Sequence, residues 1–155
     1  MERFASSERS ATVTADNISR RMPVKIIQPD GWKLPRGYSN GVLAPANSRA
    51  LTIAGQIAWD PDQRLVGRGD FTAQFRQALL NVVTIVRAAG GEPQHLTQLT
   101  IFVTDKHKYI ASQHQLAGVW REIVGSHYPA MALVEVRKLL EDGALVEIQG
   151  LAAID

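Results

Sequence analysis

Hydrophobic positions along this chain change period several times, and each change marks an element. The run VKIIQ from Val24 is β-branched and stops at Pro29-Asp30-Gly31, so it reads as a strand closed by a turn. The stretch that follows, GWKLPRGYSNG, is punctuated by proline and glycine and reads as a loop. Leu51 to Ile57, LTIAGQI, is short and β-branched and predicts a second strand, with a glycine near its end. Asp60-Pro61-Asp62 then turns the chain again.

From Asp70 to Ala89 the period lengthens. Phe71, Phe75, Ala78, Leu79, Val82, Val86 and Ala89 recur at three- and four-residue spacing and form one stripe of a helix. Asp70 is placed to cap it and Gly90-Gly91 to stop it. His95 to Thr104 returns to alternation, with Thr97, Leu99, Ile101 and Val103 on one side and Leu96, Gln98, Thr100 and Phe102 on the other. A second helix is expected from about His107 to Val124, its inward stripe made by Tyr109, Leu116, Val119, Trp120 and Ile123 and its end by Gly125. Gly118 inside it costs up to about 1 kcal/mol relative to alanine, which predicts a closely packed face there. After Pro129 come two last strands, Met131 to Arg137 and Ala144 to Ala152, around a Glu-Asp-Gly turn. This order predicts an α+β domain, two helices packed on one face of a mixed sheet.

The length of 155 residues suits one domain over residues 22–155, large enough to bury a core of its own. Residues 1–21 are rich in Ser, Thr and Arg and carry no apolar segment of the kind an export signal needs, so a flexible N-terminal extension is expected. An apolar share of 45% with 21% charged residues is ordinary for a globular protein, and no run of 18 apolar residues predicts a membrane span. Zero cysteines exclude disulfides, thiol nucleophiles and thiolate metal sites, and fit a cytoplasmic location. The net charge of +2 comes without any basic cluster interleaved with aromatics, so nucleic acid is not an expected partner.

Motif chemistry narrows the field further. His95, His107, His114 and His127 form neither an HExxH arrangement nor a tight ligand set, so no metal is expected. The glycine-bearing GYSNG and AGG match neither nucleotide-phosphate pattern, and no GxSxG elbow is present. No cofactor is expected.

Five pieces in register do resemble a known family. GYSNG at 37–41, AGQ at 54–56, the helix FTAQFRQALLNVVTIVRAAGG at 71–91, the strand LTIFVTD at 99–105, and YPAMALVEV with ALVEIQGLAAI are similar to the RidA/YjgF family, whose older labels include translation inhibitor and ribonuclease. The resemblance covers residues 24 to 154. It implies a chorismate-mutase-like α+β fold assembled as a homotrimer, with small-molecule clefts between subunits. In archetypal members those clefts hydrolyse reactive enamines and imines to keto acids and ammonia. An imine carbon is already electrophilic, so the protein has only to hold the substrate and position one water.

Carried onto this sequence, the resemblance makes Tyr38 a cleft tyrosine, Gly55 a glycine whose backbone lines the substrate, and Gln113 the counterpart of a frequent asparagine. Glu147 corresponds to the glutamate proposed to orient the attacking water. A tyrosine in such a loop serves equally to pack against a neighbouring subunit. A strand-borne glutamate between Val146 and Ile148 requires a polar pocket or a nearby cation. Glu135, in the similar setting VEV, is expected to be structural.

The departure is Met131. Archetypal members read Pro-Ala-Arg where this chain reads Pro129-Ala130-Met131, and their arginine grips the substrate carboxylate. Methionine offers neither charge nor donor, and loss of such a bidentate contact costs on the order of 2 to 5 kcal/mol. Arg137 lies six residues on, roughly 20 Å along a strand, too far to substitute within its own subunit. Arg36 and His127 are the remaining candidates, and the sequence places neither in the cleft. The expectation is therefore hydrolysis of an imine or enamine other than a 2-imino acid. The alternatives are a non-catalytic binder of a keto acid-like metabolite and, last, a ribonuclease or translation inhibitor, for which no metal-carboxylate set or histidine pair is found.

Overall fold

The computed structural model of the protein describes residues 24–155; the extension expected over residues 1–21 lies outside them. In chain order the elements are β1 (Lys25–Ile27), β2 (Gly41–Leu43), β3 (Arg49–Gln56), α1 (Phe71–Ala88), β4 (Leu96–Val103), α2 (Lys106–Ala111), α3 (Gln113–Ile123), β5 (Ala130–Glu135) and β6 (Val146–Ile154). A single 3-10 turn, Pro93–His95, leads into β4.

Strands β3, β6, β4 and β5 form one sheet in that spatial order. β6 runs antiparallel to both its neighbours, and β4 pairs in parallel with β5, so the sheet is mixed as expected. β1 and β2 pair separately as an antiparallel ribbon. β2 begins inside the stretch read as a loop, where only three residues, GVL, take part and leave too short a pattern to notice.

The helices cover one face of the sheet. Leu79, Val82, Val83 and Val86 of α1 pack with Leu99, Ile101, Val103, Val146 and Ile148, and α3 adds Leu116, Val119 and Trp120. Each such fully buried side chain contributes about 1.5 to 3 kcal/mol relative to exposure. Residues of the opposite parity, including Phe102, Val134, Glu147 and Leu151, stay half-buried or exposed on the helix-free face.

Helix ends follow the sequence signals. The Asp70 carboxylate accepts the Ala73 N–H at the start of α1, and Gly90 at φ 85° closes its end. Arg76 of α1 grips Glu122 of α3 through both guanidinium nitrogens at 2.5 and 2.6 Å. Those hydrogen bonds hold the Glu122 carboxyl below its usual range.

Three expectations are corrected. The second helix is broken at Ser112 into α2 and α3; α2 starts at the Asp105 carboxylate, which accepts from the His107 and Lys108 N–H groups, and it buries no residue fully, so no fully buried side chain holds it in line with α3. Strand β4 does not alternate throughout: its register slips between Leu96 and Gln98, so Leu96 joins Leu99 in the core. Gly118 has nothing within 4 Å of an added Cβ, so no close packing in this chain explains it.

Candidate functional site

Gly55 sits in a β-bulge. Ile53 pairs with Gly150 and Gln56 with Ile148, so Ala54 and Gly55 together oppose the single residue Gln149. The bulge brings the Gly55 backbone against the Glu147 side chain of β6. A Cβ added to Gly55 would collide with Oε1 of Glu147 and lie 2.7 Å from its Cδ. Only glycine leaves that carboxylate its place, half-buried on the helix-free face.

Glu147 owes its position to the turn before it. Gln74 of α1 is fully buried; its Nε2 donates to Gly67 O at 3.2 Å and Gly143 O at 2.9 Å, and its Oε1 accepts the Leu145 N–H at 2.8 Å. Helix α1 thereby pins the 143–145 turn two residues ahead of the glutamate. Sequence reading missed Gln74; its signal was a lone amide at position 74, beside Phe75 on the inward side of a helix.

A second, separate set gathers at the far edge of the sheet. Met131, Gln113, Tyr109, Trp120, Tyr128 and Arg36 line a pocket of about 340 Å³, with Phe75 and Ile101 beneath. Trp120 and Tyr128 stack at 5.3 Å between centroids and 5° between planes. The indole N–H donates to His127 O at 3.0 Å. Tyr109 packs edge-on against Phe71, and its burial raises the phenol above the ordinary value.

The loop carrying Arg36 and Tyr38 is tied to the start of β5. Ser39 N–H donates to Pro129 O at 2.9 Å, the Ser39 hydroxyl donates to Tyr128 O at 2.5 Å, and Ser39 bridges Ala130 in parallel fashion. Tyr38 itself projects outward, 44% exposed. Gly37, beside it, turns the loop at φ 76°.

The two sets do not meet within one chain. Met131 shares a row with Leu99, which faces the helices, whereas Glu147 shares a row with Phe102 and Val134 on the opposite face. They are two strands apart, roughly 10 Å, and three residues apart along the strands, roughly 10 Å more. Gly55 with Glu147, and Gln113 with Met131, are thus the two pairs that the fold assembles, with Tyr38 next to the second.

Other polar groups are engaged structurally. The Glu135 carboxylate accepts the Lys106 N–H at 2.7 Å at the start of α2, as expected of a structural residue. His95 Nδ1 accepts the Glu92 N–H at 2.8 Å, and His127 Nε2 contacts Leu96 O at 2.7 Å. Among the described residues no three His, Asp or Glu side chains converge as a metal site would need. No helix of the described residues is long and apolar enough to cross a membrane.

A four-stranded mixed sheet with helices on one face, a small pocket at one edge and a glycine-seated carboxylate on the open face define an α+β protein with two candidate ligand surfaces. Residues 34–154 match the family described as Endoribonuclease L-PSP. The chain is 34% identical over 115 residues to RutC family protein PH0854 of Pyrococcus horikoshii, spanning 74% of this chain and 85% of that protein. It is 33% identical over 134 residues to RutC family protein slr0709 of Synechocystis, spanning 86% and 98%. Its fold matches the Rid family protein YyfB of Yersinia pestis with a TM-score of 0.73 at 30% identity, over 86% of this chain and 100% of that one. It matches Escherichia coli TdcF, solved with bound serine, with a TM-score of 0.61 at 27% identity, over 84% and 99%. The chain belongs to the RidA/YjgF family.

Proposed function

We propose that this protein hydrolyses an imine or enamine metabolite other than the archetypal 2-imino acids, without a cofactor, in clefts between the subunits of a homotrimer. The observation that carries the proposal is the Glu147 carboxylate seated on the bare Cα of Gly55, where any side chain would displace it. The separation of that pair from the Met131 pocket supports a cleft closed by a second copy, one subunit offering Glu147 and its neighbour the pocket. The bound serine in TdcF supports a small-molecule ligand. The absence of cysteine suits the reducing cytoplasm.

In the reaction, Glu147 accepts a proton from water as the water oxygen bonds to the imine carbon, and passes that proton to the imine nitrogen. The resulting carbinolamine gives its hydroxyl proton, through Glu147, to the amine nitrogen as the C–N bond breaks, so that ammonia leaves and a carbonyl product remains. Met131 gives no charge to a carboxylate beside the reacting carbon, which turns selection away from 2-imino acids.

Ammonia release from imines generated in situ by an amine oxidase, compared with those from an amino-acid oxidase, tests this reading. Acceleration of the former that Glu147→Gln abolishes is expected. Archetype-like turnover of 2-imino acids, or activity unaffected by Glu147→Gln, overturns it, as does a stable monomer in sedimentation. Met131 also favours a second reading, a metabolite-binding protein, which ligand affinity without any turnover supports.

A further inference from the structure

Met131 removes the cation expected in the strand, yet its pocket is not without charge. Arg36 lines the same cavity as Met131, from the adjoining loop. The other candidate, His127, directs Nε2 to Leu96 O, and its carbonyl accepts the Trp120 indole, so it is committed to the fold. Among the described residues Arg36 is exposed and makes no hydrogen bond or ion pair, so its side chain is not committed to the fold. Its backbone is nonetheless well held. Pro35 precedes it, Gly37 turns the chain at φ 76°, and Ser39 fastens the loop to Tyr128 and Pro129 beside β5. The rest of the pocket is apolar or aromatic, with Gln113 as its uncharged polar group.

We propose that Arg36 is the anion anchor of this pocket, so that its ligand is a carboxylate carrying an aryl or branched alkyl body. The charge binds at the loop and the apolar body lies along Met131, Tyr109 and the Trp120–Tyr128 stack. A guanidinium at the mouth pairs with a carboxylate in two parallel hydrogen bonds, and partial desolvation by the aromatic walls strengthens them. Set beside the proposed hydrolysis, on which this extension to substrate class rests, the substrate is an imine whose carboxylate is separated from the reacting carbon by an apolar spacer. Arg36 and Met131 together are then the specificity-determining pair.

Calorimetric binding of 3-phenylpropionate, 3-phenylpropionamide and acetate to the full chain tests the anchor without any turnover. Binding of 3-phenylpropionate at least about tenfold tighter than either of the others is expected, since a charge-assisted pair and the apolar body each contribute that much. Arg36→Gln should weaken the acid about tenfold and leave the amide unchanged, and the acid's affinity should fall with salt only in the unsubstituted protein. Equal affinity for acid and amide, unchanged acid affinity in Arg36→Gln, or no binding of 3-phenylpropionate overturns the proposal. Because Glu147 is intact and no reaction is followed, these outcomes are independent of whether the hydrolysis occurs.

Discussion

The Glu147 carboxylate of β6 rests on the α-carbon of Gly55 in β3, across a bulge that puts two residues of one strand opposite one of the other. The group that obstructs a Cβ at position 55 is the far end of a flexible side chain. Gly55→Ala is therefore expected to move the carboxylate and leave the sheet intact. Turnover in the proposed hydrolysis should fall by about a hundredfold or more, the scale of a lost general base, with the unfolding midpoint little changed. Parallel rate and urea measurements check this.

Gly150 gives the opposite result for a physical reason. A Cβ there would lie 2.6 Å from Gln98 O and 2.5 Å from Leu99 Cδ2, in the middle of the sheet, where backbone cannot yield. Gly150→Ala is expected to cost about 1 to 3 kcal/mol in urea unfolding, at the upper end of that range.

Gln74→Leu should also destabilise, by about 2 to 4 kcal/mol, because it leaves Gly67 O, Gly143 O and Leu145 N–H without their buried partner. The released 143–145 turn should lower turnover in the proposed hydrolysis as well, through Glu147. Hydrogen exchange at Leu145 is a direct readout.

Gly118→Ala is expected to stabilise the chain by about 1 kcal/mol, since the site is helical and an added methyl meets open space. Thermal unfolding checks it.

Stability should fall at alkaline pH through Tyr109. Burial raises its phenol above the ordinary value of 10.0. Above that ordinary value the unfolded chain loses the proton first, so unfolding is favoured progressively until the folded phenol also ionises. Tyr109→Phe should remove that part of the decline above the ordinary phenol value of 10.0, as followed by urea midpoints.

Much of this was legible in the chain. The α1 stripe, its Asp70 cap and its Gly90 stop are local signals, and local signals suffice where one helix meets one core. The family pieces carried Tyr38, Gly55, Met131 and Glu147, and the second helix between them carried Gln113. Less local features escaped. The slip at Leu96 is set by the partner strand, and the break at Ser112 has no side-chain cap that a sequence pattern would announce. Gln74 looked like an ordinary amide in an amphipathic helix, because two of its three partners, Gly143 O and Leu145 N–H, lie about 70 residues away.

Sequence alone determined the family resemblance, the order of the longer elements, and that position 131 carries no charge, because residue identity and period are properties of the chain itself. Tertiary structure decided which residues share a place. Strand parity and register set Glu147 and Met131 on opposite faces of the sheet, and a loop fastened by Ser39 set Arg36 beside Met131. Such adjacency arises from pairings between distant segments, and no local pattern encodes it.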